Sequence, residues 1–137
     1  MSKLLKNLTN PQKSIWLTNT FYQSSSLSNL GGTLLIHQKV DFDLLDKAIN
    51  IFIKQNDGMR IIFELINGTA YQYVQEYFYK KLPIYEVNSN EELALLEQNF
   101  IHTKFNISES FLYEFKLIKL KNGTGGFNIT LHHLIAD

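Results

Sequence analysis

An apolar stripe at helical spacing, set among extended runs, is the strongest constraint on what this chain can fold into. Behind Asp41, whose carboxylate can cap a helix, Leu44, Leu45, Ala48, Ile49, Phe52 and Ile53 recur at helical intervals. Asp43, Asp46, Lys47 and Lys54 take the opposite side. Such a helix must bury one face against something, and the neighbouring segments supply a sheet. Gly31-Gly32 leads into the strand-like run from Thr33 to His37. Met59 to Leu65 and Ala70 to Gln75 flank Asn67-Gly68, a dipeptide that accepts the positive φ angles of a two-residue hairpin turn.

The same reading extends to both ends. Asn10-Pro11 is a helix-start signal, a capping side chain followed by proline. It opens a short helix that places Ile15, Trp16 and Asn19 on one face and is broken at Ser24-Ser25-Ser26. An extended piece from Ile84 to Val87 precedes Asn88-Ser89-Asn90, which caps a helix from about Glu91 to Lys104 with Leu93, Leu96, Phe100 and Ile101 as its apolar face. Phe111 to Leu120 alternates as a half-buried strand. The glycines at 125–126, like those at 31–32, read as turn residues, and Phe127 to Leu131 forms the final strand. The order α-β-α-β-β-β-α-β-β predicts an α/β fold: a mixed, largely antiparallel sheet with helices packed on it.

Bulk properties narrow the function. A length of 137 residues suits one domain, and 45% hydrophobic with 19% charged residues describes an ordinary globular chain. The formal net charge is zero with basic residues scattered, so there is no basic face for nucleic acid. Cysteine is absent, which excludes thiolate chemistry and disulfides. No run approaches the ~20 apolar residues that span a bilayer, and the first residues lack a signal-peptide core. A cytoplasmic location and no membrane partner are expected.

The chemistry concentrates in His132-His133-Leu134-Ile135-Ala136-Asp137. Imidazole exchanges protons near neutrality, and a strand end places it at a rim. Adjacent strand residues point to opposite faces. One histidine is therefore expected in the core and the other toward a cleft. A structural pair of histidines is the plain alternative. A metal site using His133 and Asp137 would lack further ligands, with His37 and His102 elsewhere on the chain. Arg60, the sole arginine, is either a surface residue or the bidentate partner of a carboxylate, with Asp137 or Asp57 as candidates. The aromatic run Tyr71, Tyr73, Tyr77, Phe78, Tyr79 and Tyr85 reads as core and sheet surface.

Taken together these residues carry a resemblance. The ending resembles the His-His-x-x-x-Asp-Gly signature of condensation domains of nonribosomal peptide synthetases, shared across the chloramphenicol-acetyltransferase-like acyltransferases. Leu8-Thr9-Asn10-Pro11-Gln12-Lys13-Ser14-Ile15-Trp16 is similar to their opening Leu-Thr-x-x-Gln-x-x-Ile-Trp. Asp41 to Ile49 resembles their Asp-x-x-x-Leu-x-x-Ala-Leu helix. The run Phe52 to Phe63 resembles the block that contains Arg-His-Glu-x-Leu-Arg-Thr-x-Phe, with Gln55-Asn56-Asp57 in place of Arg-His-Glu and Arg60 at the second arginine. Phe105-Asn106-Ile107 stands where the family often has Phe-Asp-Leu.

The resemblance implies a chloramphenicol-acetyltransferase-like half-domain, residues 1–137 being the N-terminal subdomain with the C-terminal subdomain absent. It implies amide formation between acyl or aminoacyl thioesters carried on acyl or peptidyl carrier proteins, an acyltransferase-type step of secondary metabolite biosynthesis. His133 would be the catalytic histidine, His132 its structural neighbour, and Asp137 a brace for the loop, with Arg60 as its candidate partner. No metal or free cofactor is implied, since phosphopantetheine arrives on the carrier protein. Alone, such a chain holds one wall of a two-walled channel and is expected to be inactive. Two rivals remain at this level: a non-catalytic relative that docks a carrier protein or subunit, and a homo-oligomeric acyltransferase with a shared interface site.

Overall fold

The computed structural model describes residues 3–22 and 26–136. Its elements are β1 (Lys6–Asn7), α1 (Asn10–Phe21), β2 (Asn29–Ile36), α2 (Phe42–Gln55), β3 (Ile61–Ile66), β4 (Thr69–Val74), β5 (Ile84–Val87), α3 (Asn90–Ile101), β6 (Tyr113–Leu120) and β7 (Gly125–His132), with a 3-10 turn at Asp57–Arg60 before β3. Apart from the two-residue β1 and that turn, the order is the one the sequence predicts.

Each boundary has a local cause. Thr9, one residue earlier than expected, caps α1: its hydroxyl accepts the Gln12 N–H while the Gln12 side chain accepts the Thr9 N–H. Asn10 is already helical because this reciprocal box satisfies two amides at once. Asp41 caps α2 through Leu44 N–H at 3.1 Å. Ser89 caps α3 through Glu92 N–H, and that helix closes at Ile101, short of Lys104. Asn67 and Gly68 take φ values of 49° and 81°, the paired positive angles that a tight hairpin with strand-matched twist requires.

Two sheets result. β2-β7-β6-β5 is four-stranded and mixed, antiparallel except for the parallel β5–β6 pair. The hairpin β3–β4 stands apart with β1 as an antiparallel sheet ordered β1-β4-β3. In the larger sheet α2 covers one face, where Ile49 and Ile53 meet Phe115, Leu117 and Leu82. On the other face, Phe100 of α3 meets Ile118 and Val87. The middle of β6, from Phe115 to Ile118, is therefore buried on both faces rather than half-buried, with Lys116 paired to Glu114 beneath the Phe100 ring. A third cluster, Leu8, Phe63, Leu112 and Leu134, joins the hairpin sheet to the end of β7, with Ile15 and Trp16 of α1 packed against it.

Two further expectations are corrected. The buried stripe of α2 is rotated: Asp46 and Asn50 are inside while Leu44 and Phe52 are exposed. The Asp46 carboxylate accepts Leu82 N–H at 2.7 Å and the Tyr79 hydroxyl at 2.6 Å, and Asn50 brackets Lys80 through its N–H and C=O. These polar groups satisfy an extended segment that has left the sheet. It leaves there because Pro83, whose carbonyl receives Leu117 N–H, has no N–H to continue the ladder. Lastly, neither glycine pair forms a turn. Gly31 and Gly32 lie within β2, and Gly125 and Gly126 within β7. A Cβ on Gly126 would sit 1.8 Å from the Leu34 carbonyl oxygen, so close pairing of β2 and β7 excludes a side chain.

Candidate active site at the end of β7

The strand ends at His132, and a turn closed by Ile135 N–H to the His132 carbonyl carries His133 and Leu134. The two histidines separate as the period of the strand requires. His132 is 1% exposed, edge-on to Phe105 with ring centroids 6.4 Å apart. His133 is half-buried, its backbone N–H held by the Ser28 carbonyl at 2.7 Å. Leu134, 3% exposed, anchors the turn in the third core cluster.

The hydrogen bonds fix a tautomer for each ring. Leu134 N–H donates to His132 Nδ1 at 3.1 Å, so Nδ1 is bare and the proton sits on Nε2, which faces Asn19 Oδ1 at 3.2 Å. Burial, and secondarily the neighbouring His133, lower the His132 pKa to about 4. It is neutral at physiological pH. His133 has the opposite arrangement: a carbonyl can only accept, so Nδ1, 2.5 Å from the Ala136 oxygen, carries the proton. In the neutral ring the lone pair is then on Nε2, which has no hydrogen-bond partner among the described residues.

Arg60 sits at the mouth of the 3-10 turn with its side chain 12% exposed. Its guanidinium donates to the carbonyls of Ile53 (3.1 Å), Lys54 (3.2 Å) and Gln75 (2.6 Å), and to Asp57 Oδ1 at 2.6 Å. It thus caps the C-terminal end of α2 and ties it to the end of β4, and its carboxylate contact is a single bond to an exposed Asp57 rather than a bidentate pair. Asp137 lies outside the described residues. His37 is exposed just past β2, and His102 closes α3 with its Nδ1 3.0 Å from the Ser26 hydroxyl. Among the described residues no three His, Asp or Glu side chains come together as metal ligands, and no helix is long and apolar enough to cross a membrane.

His133 lines neither of two cavities formed by the described residues. One, of about 650 Å³, opens where the 77–83 segment leaves β6, lined by Tyr77, Phe78, Phe111, Tyr113 and Phe115 with Asn50. The other, of about 350 Å³, lies between α3 and the glycines of β2. Sequence reasoning missed Gln12 and Asn19 as parts of the histidine turn. Gln12 Nε2 reaches the Leu134 carbonyl at 3.4 Å, and Asn19 lies 113 residues from its partner. Only their shared helical face, with Trp16 between them, hinted at a common role.

Comparison with known proteins agrees with this geometry. The condensation-domain family matches residues 5–137, and the chain belongs to that family. It is 34% identical to surfactin synthase subunit 1 of Bacillus subtilis (strain 168) over 141 residues, covering 95% of the chain and 4% of that protein. It is 28% identical to gramicidin S synthase 2 of Aneurinibacillus migulanus, covering 95% and 3%. Among solved structures, the starter condensation domain of rhizomide synthetase RzmA superposes with a TM-score of 0.86 at 16% identity, covering 96% of this chain and 33% of that one. The condensation domain of the monacolin K polyketide synthase MokA gives 0.84 at 16% identity, covering 97% and 31%. The chain spans a few per cent of these synthases and about a third of the solved chains. The mixed α/β architecture is thus that of condensation domains.

Proposed function

We propose that residues 1–137 form the N-terminal subdomain of a condensation domain and supply the base for amide formation between carrier-bound thioesters. The observation that carries this reading is the His133 ring, its Nδ1–H spent on Ala136 and its Nε2 without a hydrogen-bond partner among the described residues. In the reaction, the acceptor's amine attacks the donor's thioester carbonyl. His133 Nε2 takes the proton the amine loses, and the tetrahedral intermediate collapses with cleavage of the C–S bond. The same proton then passes to the departing thiolate, so the products are an amide and a free thiol and the histidine is regenerated.

The partners on this reading are acyl or peptidyl carrier proteins in the cytoplasm, each bringing a phosphopantetheine arm. The chain itself needs no metal or dissociable cofactor. His132 supports the turn from within, and Arg60 locks the α2–β4 corner. Because one wall alone cannot enclose the reacting atoms or exclude water, turnover requires the rest of the domain.

Substituting His133 by alanine separates chemistry from binding. The expected outcome, read by product mass in the complete domain, is a fall in amide formation of roughly a hundredfold or more with carrier-protein affinity unchanged. Full activity in that variant would assign the chain to the non-catalytic relatives instead.

A further inference from the structure

We infer that Asn19 is a positioning residue for His133, acting through His132 by fixing that ring's tautomer; the inference rests on the reading of His133 as the base. The hydrogen bonds that link Asn19, His132 and Leu134 have a fixed polarity. A backbone N–H can only donate, so Leu134 N–H at 3.1 Å requires a bare Nδ1 on His132. A neutral imidazole with a bare Nδ1 carries its proton on Nε2, and that proton needs an acceptor in a site that is 1% exposed. Asn19 Oδ1, 3.2 Å away on α1, is that acceptor.

Without it, the Nε2–H is buried and unpaired, and the ring regains a partner only by turning away from the Leu134 N–H, which releases both its tautomer and the turn. The turn is what presents His133. Leu134 is held at its N–H by His132 and at its carbonyl by Gln12 Nε2 (3.4 Å), and Gln12 occupies the same face of α1 as Asn19. The helix therefore grips the residues on both sides of His133. His133 in turn reaches the Ala136 carbonyl only while the backbone between them keeps this curvature. Among the described residues, His133 is the titratable group that acts on His132; Asn19 and Phe105 beside it are neutral.

The test is a long-range proton–nitrogen NMR correlation on the ¹⁵N-labelled 137-residue chain at neutral pH, with far-ultraviolet circular dichroism as the check on folding. The unsubstituted chain should show His132 as the Nε2–H and His133 as the Nδ1–H tautomer. In Asn19→Ala, a half-exposed helical position where alanine favours the helix, both histidines should lose their single tautomer. Asn19→Asp should keep the His132 Nε2–H tautomer, since a carboxylate also accepts there, and raise its protonation midpoint by roughly one unit or more. A merely structural asparagine would give neither the rescue nor the shift. Unchanged tautomers of both rings in Asn19→Ala would overturn the inference. These signals are read without substrate, so they stand apart from the His133→Ala assay: activity surviving there removes the catalytic reading and leaves the tautomer result untouched. In the complete domain, Asn19→Ala should lower kcat by roughly tenfold to a hundredfold with KM unchanged.

Discussion

At the scale of single residues, burial, and secondarily the neighbouring His133, work against a proton on His132. Its pKa of about 4 in the folded chain lies below the ordinary value of 6.5. The sign of the consequence follows from which state binds the proton. Above pH 6.5 the ring is neutral folded or unfolded, and stability does not depend on it. Between 6.5 and about 4 the unfolded chain takes up a proton that the folded chain refuses, so stability falls as pH falls. Below 4 both states are protonated and the dependence levels off. The loss across that window is on the order of 3 kcal/mol. Urea unfolding at pH 7, 5.5 and 4.5 checks it: the midpoint should drop with pH, and replacing His132 by glutamine should flatten the drop. Arg60 gives a second prediction. Its planar fork reaches three carbonyls and a carboxylate, which a lysine cannot span. Arg60→Lys should therefore cost about 1–3 kcal/mol of stability in the same measurement.

At the scale of elements, the contrast between what the sequence announces and what it conceals has a physical pattern. The Asn67-Gly68 hairpin and the Asp41 and Ser89 caps were legible because each depends on residues within a few positions. The rotation of α2 was not. Asp46 looks like a solvated acid until the segment from Tyr79 to Leu82, more than 30 residues on, brings it an N–H and a hydroxyl. The glycine pairs were misread for a related reason: glycine serves both turns and close backbone approach, and the approach of Leu34 to Gly126 is a tertiary fact. At the site, the inward and outward histidines followed from strand alternation alone, whereas Asn19 required the packing of α1. Two variants test these assignments. Asp46→Ala leaves Leu82 N–H buried and unpaired and should destabilise by about 1–3 kcal/mol. Gly126→Ala places a methyl against the Leu34 carbonyl and should either separate β2 from β7 or cost more than about 3 kcal/mol, as read by thermal melting and amide exchange in those two strands.

At the scale of the whole molecule, three core clusters converge on the β6–β7 pair, and the histidine turn is suspended from its end. α2 and α3 clamp the larger sheet from its two faces, while α1 and the hairpin sheet hold the turn through Leu8, Phe63, Leu112 and Leu134. His133 is thus held in a packed frame, and it lines neither the cavity beside Tyr77 and Phe111 nor the one between α3 and β2. On the reading of His133 as the base, the chain supplies one wall of a reaction chamber. The most direct measurement of this account follows the amide product by mass spectrometry, mixing donor and acceptor carrier proteins with the chain alone and then with the remaining part of a condensation domain added in trans. The account predicts no product from the chain alone and product in the mixture, abolished by His133→Ala. Amide formation by the chain alone at the rate of the mixture would contradict it.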